Sequence, residues 1–257
     1  VSGFKALAKD LLRVKPRRVA INRFNAFAKT FFNLTDRVTA GDLDRIGKRF
    51  DYCVSGSDQI WNPACISANR TFDPAYFLEF GRPDAIFAAY ASSWGGYKFD
   101  PAEQTKIRGF IAKYTHISVR ESDSRQILAD LTGQPVAHVC DPTLLLTGNE
   151  WREVAAQTHV DYGLNKYLLV YSVPKNLNLI AVAEAVAVKL GLDIVVIDQD
   201  PLYNIKGARK IMDAGPLEFV KLFADAAFVV TDSFHGTCFS FIFIKPFFAV
   251  TEAPHSN

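Results

Sequence analysis

Residues 229–250 read VVTDSFHGTCFSFIFIKPFFAV. Two apolar blocks flank a short interruption, Asp232-Ser233-Phe234-His235-Gly236. The apolar run before it predicts a buried strand, the block FHGTCFSFIFIK a helix, and PFFAV another strand. A strand, a helix and a second strand in succession demand a parallel crossover, and this unit sets the fold class as α/β. In open parallel sheets ligands bind beyond the carboxyl ends of the strands, where the interruption falls. Asp232 or Ser233 is suited to cap the helix. His235 then lies in the first helical turn, where an imidazole can face a crevice and move protons near neutral pH. A capped helix with an incidental histidine explains the same residues equally simply.

The same alternation extends upstream. KYLLVYSV, DIVVID and AFVVTDS read as strands, separated by the helices LNLIAVAEAVAVKLG and PLEFVKLFADA. Earlier come the strands FDYCVSGSD, DAIFAAYASSWGG, HISVRE and VAHVCDPTLLL. Between them DPAEQTKIRGFIAKY is a helix with Asp100 at its cap and Pro101 at its first position, and ESDSRQILADLTG is a helix stopped by Gly133. The polar segment 158–166 reads as a linker, and residues 4–32 as one or two helices broken near Pro16. The doubled rhythm predicts two Rossmann-like, doubly wound parallel-sheet domains, residues 1–160 and 161–257, each sheet covered on both faces and the two facing across a cleft. One continuous sheet is the alternative. The pattern opens on a helix and stops just after a strand, so terminal elements of the fold are expected to be missing.

Composition narrows the function. The chain has 257 residues, 49% hydrophobic and 22% charged, with a net charge of +2. That balance belongs to a globular protein and supplies no field selecting nucleic acid. The four cysteines, Cys53, Cys65, Cys140 and Cys238, are scattered, which predicts reduced thiols and neither a zinc site nor a disulfide framework. No apolar run reaches membrane-spanning length and no signal peptide is seen, so a cytoplasmic location is expected. The basic N-terminal face reads as a solvated helix surface or as a contact with an anionic membrane surface.

Five predicted strand ends carry small or polar groups: Ser55-Gly56-Ser57-Asp58, Ser92-Ser93, Ser118-Val119-Arg120-Glu121, Asp141-Pro142-Thr143 and Asp232 to Gly236. Small residues let a ligand approach the backbone, and the helix N-termini that follow favour phosphate or carboxylate. Arg120 can grip such an anion, or it can pair with Glu121 or Asp123. Asp141 can act as a turn former, Asp58 and Trp61 can cap and pack a turn, and Trp94-Gly95-Gly96 can form a loop. Lys245 reads as solvated surface. P-loop, GxGxxG and GxSxG motifs are all absent from the sequence.

Six segments in order, DYCVSGSDQIWNP, YFLEF, AAYASSWG, ISVRESDSRQIL, DPTLLL and VVTDSFHGTCFSFIFIKPF, carry a resemblance. With them the chain resembles the polysaccharide pyruvyl transferase family, which is similar in fold to two-domain glycosyltransferases of the GT-B type. The resemblance implies transfer of pyruvate from phosphoenolpyruvate to two hydroxyls of a sugar, leaving a ketal and phosphate. It places this chemistry in exopolysaccharide or cell-surface glycan synthesis, on an acceptor that is often lipid-linked, with no cofactor or metal required. On this sequence it implies Arg120 as holder of the donor's phosphate or carboxylate and His235 as general acid or anion stabiliser. Ser233, Phe234 and Gly236 are then expected around the donor, on the C-terminal side. Ser57, Asp58, Ser92, Ser93, Asp141 and Asp232 are further candidates, and the N-terminal domain is the expected acceptor side. The family's Asn-Tyr-Gly-type loop, a further basic residue and a closing helix have no counterpart here. A nucleotide-sugar glycosyltransferase and a non-catalytic anion-binding member are the alternatives.

Overall fold

The computed structural model describes the backbone of residues 2–251 and the side chains from residue 12 onward. The basic face expected before residue 12 and the chain beyond residue 251 lie outside the described residues. By contact the chain divides into two compact units, Thr35–Leu145 and a second made of Val1–Leu34 with Leu146–Asn257.

Helix α1 (Ser2–Phe31) opens the chain. The 35–145 unit then contains α2 (Leu43–Gly47), β1 (Tyr52–Ser55), α3 (Pro63–Ile66), β2 (Ile86–Ser92), α4 (Pro101–Ile111), β3 (His116–Val119), α5 (Ser122–Thr132) and β4 (Val136–His138). The second unit adds α6 (Gly148–Ala155), β5 (Tyr167–Tyr171), α7 (Leu177–Leu190), β6 (Asp193–Ile197) and β7 (Arg209–Ile211). It closes with α8 (Pro216–Asp225), β8 (Phe228–Thr231), α9 (Phe234–Ile242) and β9 (Phe247–Ala249).

In the 35–145 unit four parallel strands run in the order β1-β2-β3-β4. Side chains alternate across the sheet. Cys53, Phe87, Ala89, Ile117 and Val119 point into a core shared with Ile107, Ile111 and Leu128 of the helices and with Trp61, Phe77 and Trp94. Trp61 stacks on Phe77, with ring centroids 5.6 Å apart, and Phe77 on Phe110 at 4.6 Å. Trp61 and Trp94 are therefore core residues: each large buried ring contributes roughly 1.5–3 kcal/mol of burial, which favours turns that carry it inward. The opposite face is open at β1, where Tyr52 is 69% and Val54 61% exposed. This differs from the expectation of a sheet covered on both faces. A sheet that always steps in one direction sends its right-handed crossovers to one side. Helix α4 begins as its sequence predicts: the Glu103 amide donates to Asp100 Oδ1 at 2.8 Å, and Glu103 Oε2 accepts from the Asp100 amide at 3.0 Å. Gly133 ends α5 in the left-handed conformation.

The second unit has five parallel strands in the order β7-β6-β5-β8-β9. The chain starts in the middle at β5, steps outward twice, then returns to the far side of β5 and steps outward again. Its sheet is covered on both faces. Leu169, Val195 and Val229 pack under Phe223 and Phe239, and Leu168, Val170, Val196 and Val230 under Leu179 and Ala183. Strand β7 was not anticipated. It has three residues inside a polar, glycine-containing stretch and among the described residues pairs on one side only, with β6.

Helix α1 is continuous through Pro16, against the expected break. Proline removes one donor from the helical ladder, and the remaining turns keep theirs. The helix belongs to the second unit because it is bonded there. Ala20 is buried, and Arg23 donates to the Asp213 carbonyl at 2.7 Å and to the Tyr162 hydroxyl at 3.0 Å. Helix α6 likewise packs on α8, with Trp151 edge-on to Phe239 at 5.2 Å. By contact, the division therefore falls at 34/35 and 145/146, where the rhythm of the sequence had put it at 160/161.

Candidate functional site

At the carboxyl ends of the first sheet, Ser57, Asp58, Ser92, Ser93, Arg120 and Asp141 form one bonded cluster. Strand β2 carries a bulge between Ala89 and Ser92, with Ala91 at φ 51°. The Ser118 hydroxyl replaces the lost ladder bonds by donating to the Ala89 carbonyl at 2.9 Å and accepting from the Ala91 amide at 3.1 Å. The bulge brings Ser92 beside Asp58, and the Ser93 amide donates to the Asp58 carbonyl at 3.0 Å. Gly56 is required at this corner: its φ is 131°, and a Cβ would lie 2.0 Å from the Tyr90 carbonyl oxygen.

The Arg120 side chain is 7% exposed and has a carboxylate on each of its three nitrogens. Nη1 reaches Asp141 Oδ2 at 3.0 Å, Nε reaches Glu121 Oε1 at 3.2 Å and Nη2 reaches Asp58 Oδ1 at 3.4 Å. Burial lowers the guanidinium pKa, and the hydrogen bonds to Asp141 and Glu121 more than offset this, so it rises above its usual value. Asp123, one of the partners expected for Arg120, takes no part in this set of ion pairs. Asp141 is 1% exposed; Thr143 donates to its Oδ1 through both amide and hydroxyl, at 3.0 and 2.8 Å, and Ser57 donates to Oδ2 at 3.3 Å. Glu121 Oε1 also accepts from the Ser93 hydroxyl at 2.7 Å, while its buried Oε2 has no hydrogen-bond partner among the described residues. One guanidinium among three carboxylates is net acidic. Such a group ties strand ends together and accepts hydroxyl donors; a phosphate or carboxylate ligand would have to displace one of its own carboxylates.

The second cluster lies where the strand order of the other sheet reverses, between β5 and β8, the crevice position of an open α/β sheet. Asp232 ties the two strand ends. Its Oδ2 accepts from the Ser172 hydroxyl at 2.6 Å and its Oδ1 from the Val173 amide at 2.9 Å. Ser233 caps α9, its hydroxyl accepting from the Gly236 amide at 3.4 Å. Asp232 and Ser233 thus serve the backbone around the site. Phe234 is exposed and meets the His235 ring edge-on at 5.4 Å.

Gly236 is where α9 presses on β8: a Cβ would fall 2.2 Å from Thr231 Oγ1. That hydroxyl is held in place, donating to the Tyr171 carbonyl at 2.6 Å and accepting from the Ser233 amide at 3.1 Å. Gly236→Ala is therefore expected to lose about 1–3 kcal/mol in a denaturant titration. Thr231→Ala in the same chain should recover part of that loss, and equal stability of Gly236→Ala and the parent would refute the close approach.

His235 lines a cavity of about 530 Å³ contained within the second unit. Trp151, Tyr171, Phe219 and Phe239 form one wall, the β6 end supplies Ile197, Asp198 and Gln199, and α1 contributes Phe24 and Phe27. Among the described residues no lysine or arginine lines it. The sequence reading did not include Asp198 among the strand ends, although the polar DQD that closes DIVVI carries the same signal as the others. The aromatic lining has no local signal, because with Phe24 and Phe27 it gathers residues from five separate segments. Lys245 lies at the opposite end of α9 from His235, and burial, then Arg152, lowers its pKa.

Two parallel-sheet α/β units with polar strand ends define a class in which function resides in the loops beyond the strands. The family model for polysaccharide pyruvyl transferase matches residues 5–254, nearly the whole chain, and the chain belongs to that family. Among curated proteins, none matches it. No helix among the described residues is long and apolar enough to cross a membrane.

Proposed function

We propose that the protein transfers pyruvate from phosphoenolpyruvate to two hydroxyls of one sugar, as a step in exopolysaccharide or cell-surface glycan synthesis. Family membership over residues 5–254 is the observation that carries this reading. The position of His235, in the first turn of α9 at the reversal of the strand order, supports it as the proton-transferring group. In the reaction a proton is added to C3 of the donor, making its methyl group, and a sugar oxygen attacks C2. The C2–O bond to phosphate then breaks, and the second hydroxyl oxygen closes the ketal. Of the two hydroxyl protons released, one replaces the proton delivered to C3 and one leaves on phosphate. His235 delivers the first proton or neutralises the departing phosphate; both tasks suit a positioned imidazolium. The amides at the start of α9 favour the anion.

Arg120 enters this scheme as a positioning residue for the strand ends of its unit, since its three nitrogens already meet Asp58, Glu121 and Asp141. The scheme as written uses no cofactor. We place the protein in the cytoplasm, acting at the inner face of the membrane when its acceptor is lipid-linked.

The test is phosphate release from phosphoenolpyruvate in the presence of glycan acceptors, with thermal stabilisation by phosphoenolpyruvate read alongside. Release that depends on an acceptor supports the reading. Stabilisation by UDP or GDP and not by phosphoenolpyruvate would replace it with a nucleotide-sugar glycosyltransferase. No release with any acceptor and no donor binding would leave a non-catalytic member.

A further inference from the structure

We infer that the aromatic cavity beside His235 is a binding site for a pyranose ring, with Asp198 and Gln199 as its hydroxyl-reading groups. The inference rests on the proposed transfer to a sugar and assigns the ring a place within the second unit. Three observations carry it.

The first is size. At about 530 Å³ the cavity falls within the range of roughly 300–1,000 Å³ typical of small-molecule sites. A three-carbon donor held at His235 would occupy only part of it. Whatever reacts with that donor has to come within bonding distance of it, and the remaining space adjoins the same histidine.

The second is chemistry. Among the described residues no lysine or arginine lines the cavity, so beyond the place of the donor at His235 its lining calls for no second anion. The wall is a connected run of rings: Tyr171 meets Phe219 at 5.0 Å, Phe219 meets Phe239 at 5.6 Å and Phe239 meets Trp151 at 5.2 Å. The faces of such rings are electron-rich and attract the C–H-bearing face of a sugar ring. An isoprenoid chain needs no polar partner, whereas this wall ends in a carboxylate and an amide.

The third is unused hydrogen-bonding capacity. Asp198 Oδ1 accepts from the Asp200 amide at 2.6 Å and from the Lys175 ammonium at 3.5 Å; its buried Oδ2 is ion-paired with Lys175 at 3.4 Å but accepts no hydrogen bond among the described residues. The ion pair offsets part of the cost of burying that oxygen, and a ligand hydroxyl would supply the hydrogen bond it lacks. Gln199 is exposed at the cavity edge, where its amide offers both a donor and an acceptor.

The experiment is saturation-transfer NMR on the full chain with a panel of methyl pyranosides (galacto, gluco and manno). Each is titrated against the parent protein and against Phe24→Ala and Asp198→Asn. Phe24 is largely exposed on α1, so its truncation leaves the folded core intact. The inference expects at least one glycoside to bind saturably, and each substitution to weaken it about tenfold. Binding that neither variant alters, no binding by any glycoside, or saturation by uridine in their place would overturn it. A parallel titration with phosphoenolpyruvate reads the donor independently. Donor binding without glycoside binding removes this inference and leaves the proposed function standing; glycoside binding without donor binding does the reverse.

Discussion

Replacing His235 by alanine is expected to lower acceptor-dependent phosphate release from phosphoenolpyruvate by about 10²–10⁴-fold, the range that a positioned proton donor supplies. The imidazole stands in the first turn of α9 and faces the cavity at the strand reversal. The residues that build that turn are others: Ser233 caps it, Gly236 lets it approach β8, and Asp232 ties β8 to the end of β5. Thermal stability should therefore change far less than the rate. The pH profile separates a proton donor from a mere space-filler. A proton-donating role makes the parent rate depend on pH, and His235→Ala should lose that dependence. Asparagine at the same place keeps a hydrogen-bond donor but cannot deliver a proton, so His235→Asn should retain donor affinity better than rate. An unchanged rate in His235→Ala, or an unchanged pH profile, would remove the histidine from the mechanism.

The second large effect is expected on stability. Arg120→Met takes away the one guanidinium that Asp58, Glu121 and Asp141 share. Breaking a buried ion pair from one side costs roughly 3–5 kcal/mol, because the partner charge stays buried and uncompensated. Here Asp141 is the most enclosed of the three and stands to lose most. The loss should appear as a lower denaturant midpoint for the 35–145 unit. Arg120→Lys should fall between parent and methionine, since an ammonium is a point charge and cannot span three carboxylates as a planar fork does. The outcome also separates two roles. A residue that only holds a donor anion would leave stability nearly untouched while raising the phosphoenolpyruvate requirement. A residue that organises strand ends lowers the denaturant midpoint first and activity as a consequence. A Met variant as stable as the parent would show that the ion-pair cluster is not what holds these loops.

Most elements of the fold were legible because they rest on local physics. Strand β5 is a run of apolar residues that only a doubly covered sheet can bury, and α4 announces itself with Asp100, Pro101 and Glu103 at cap spacing. Gly133 and Gly191 stop their helices in the left-handed conformation that other residues resist. Strand β7 was illegible because three residues carry no period. The continuity of α1 through Pro16 was illegible because the cost of one lost bond has to be weighed against contacts made by Ala20 and Arg23 far along the chain.

The site divides in the same way. Its individual residues, from Ser57 to His235, could be named from strand ends followed by helix starts, since that pattern alone marks where ligands are received. Partnership could not be read there. Arg120 could hold an anion or pair with a neighbour one or three positions away. It bonds to its neighbour Glu121 and also to Asp141, 21 residues on, and Asp58, 62 residues back, because the order of the strands lays their ends side by side. The aromatic wall beside His235 likewise exists only once α1, α6, α8 and α9 are gathered on one sheet. Hydrophobic period, caps and turns act over a few residues and are written in the chain. Charge pairing and cavity shape depend on which distant segments the packed sheet makes neighbours, and no local pattern encodes that.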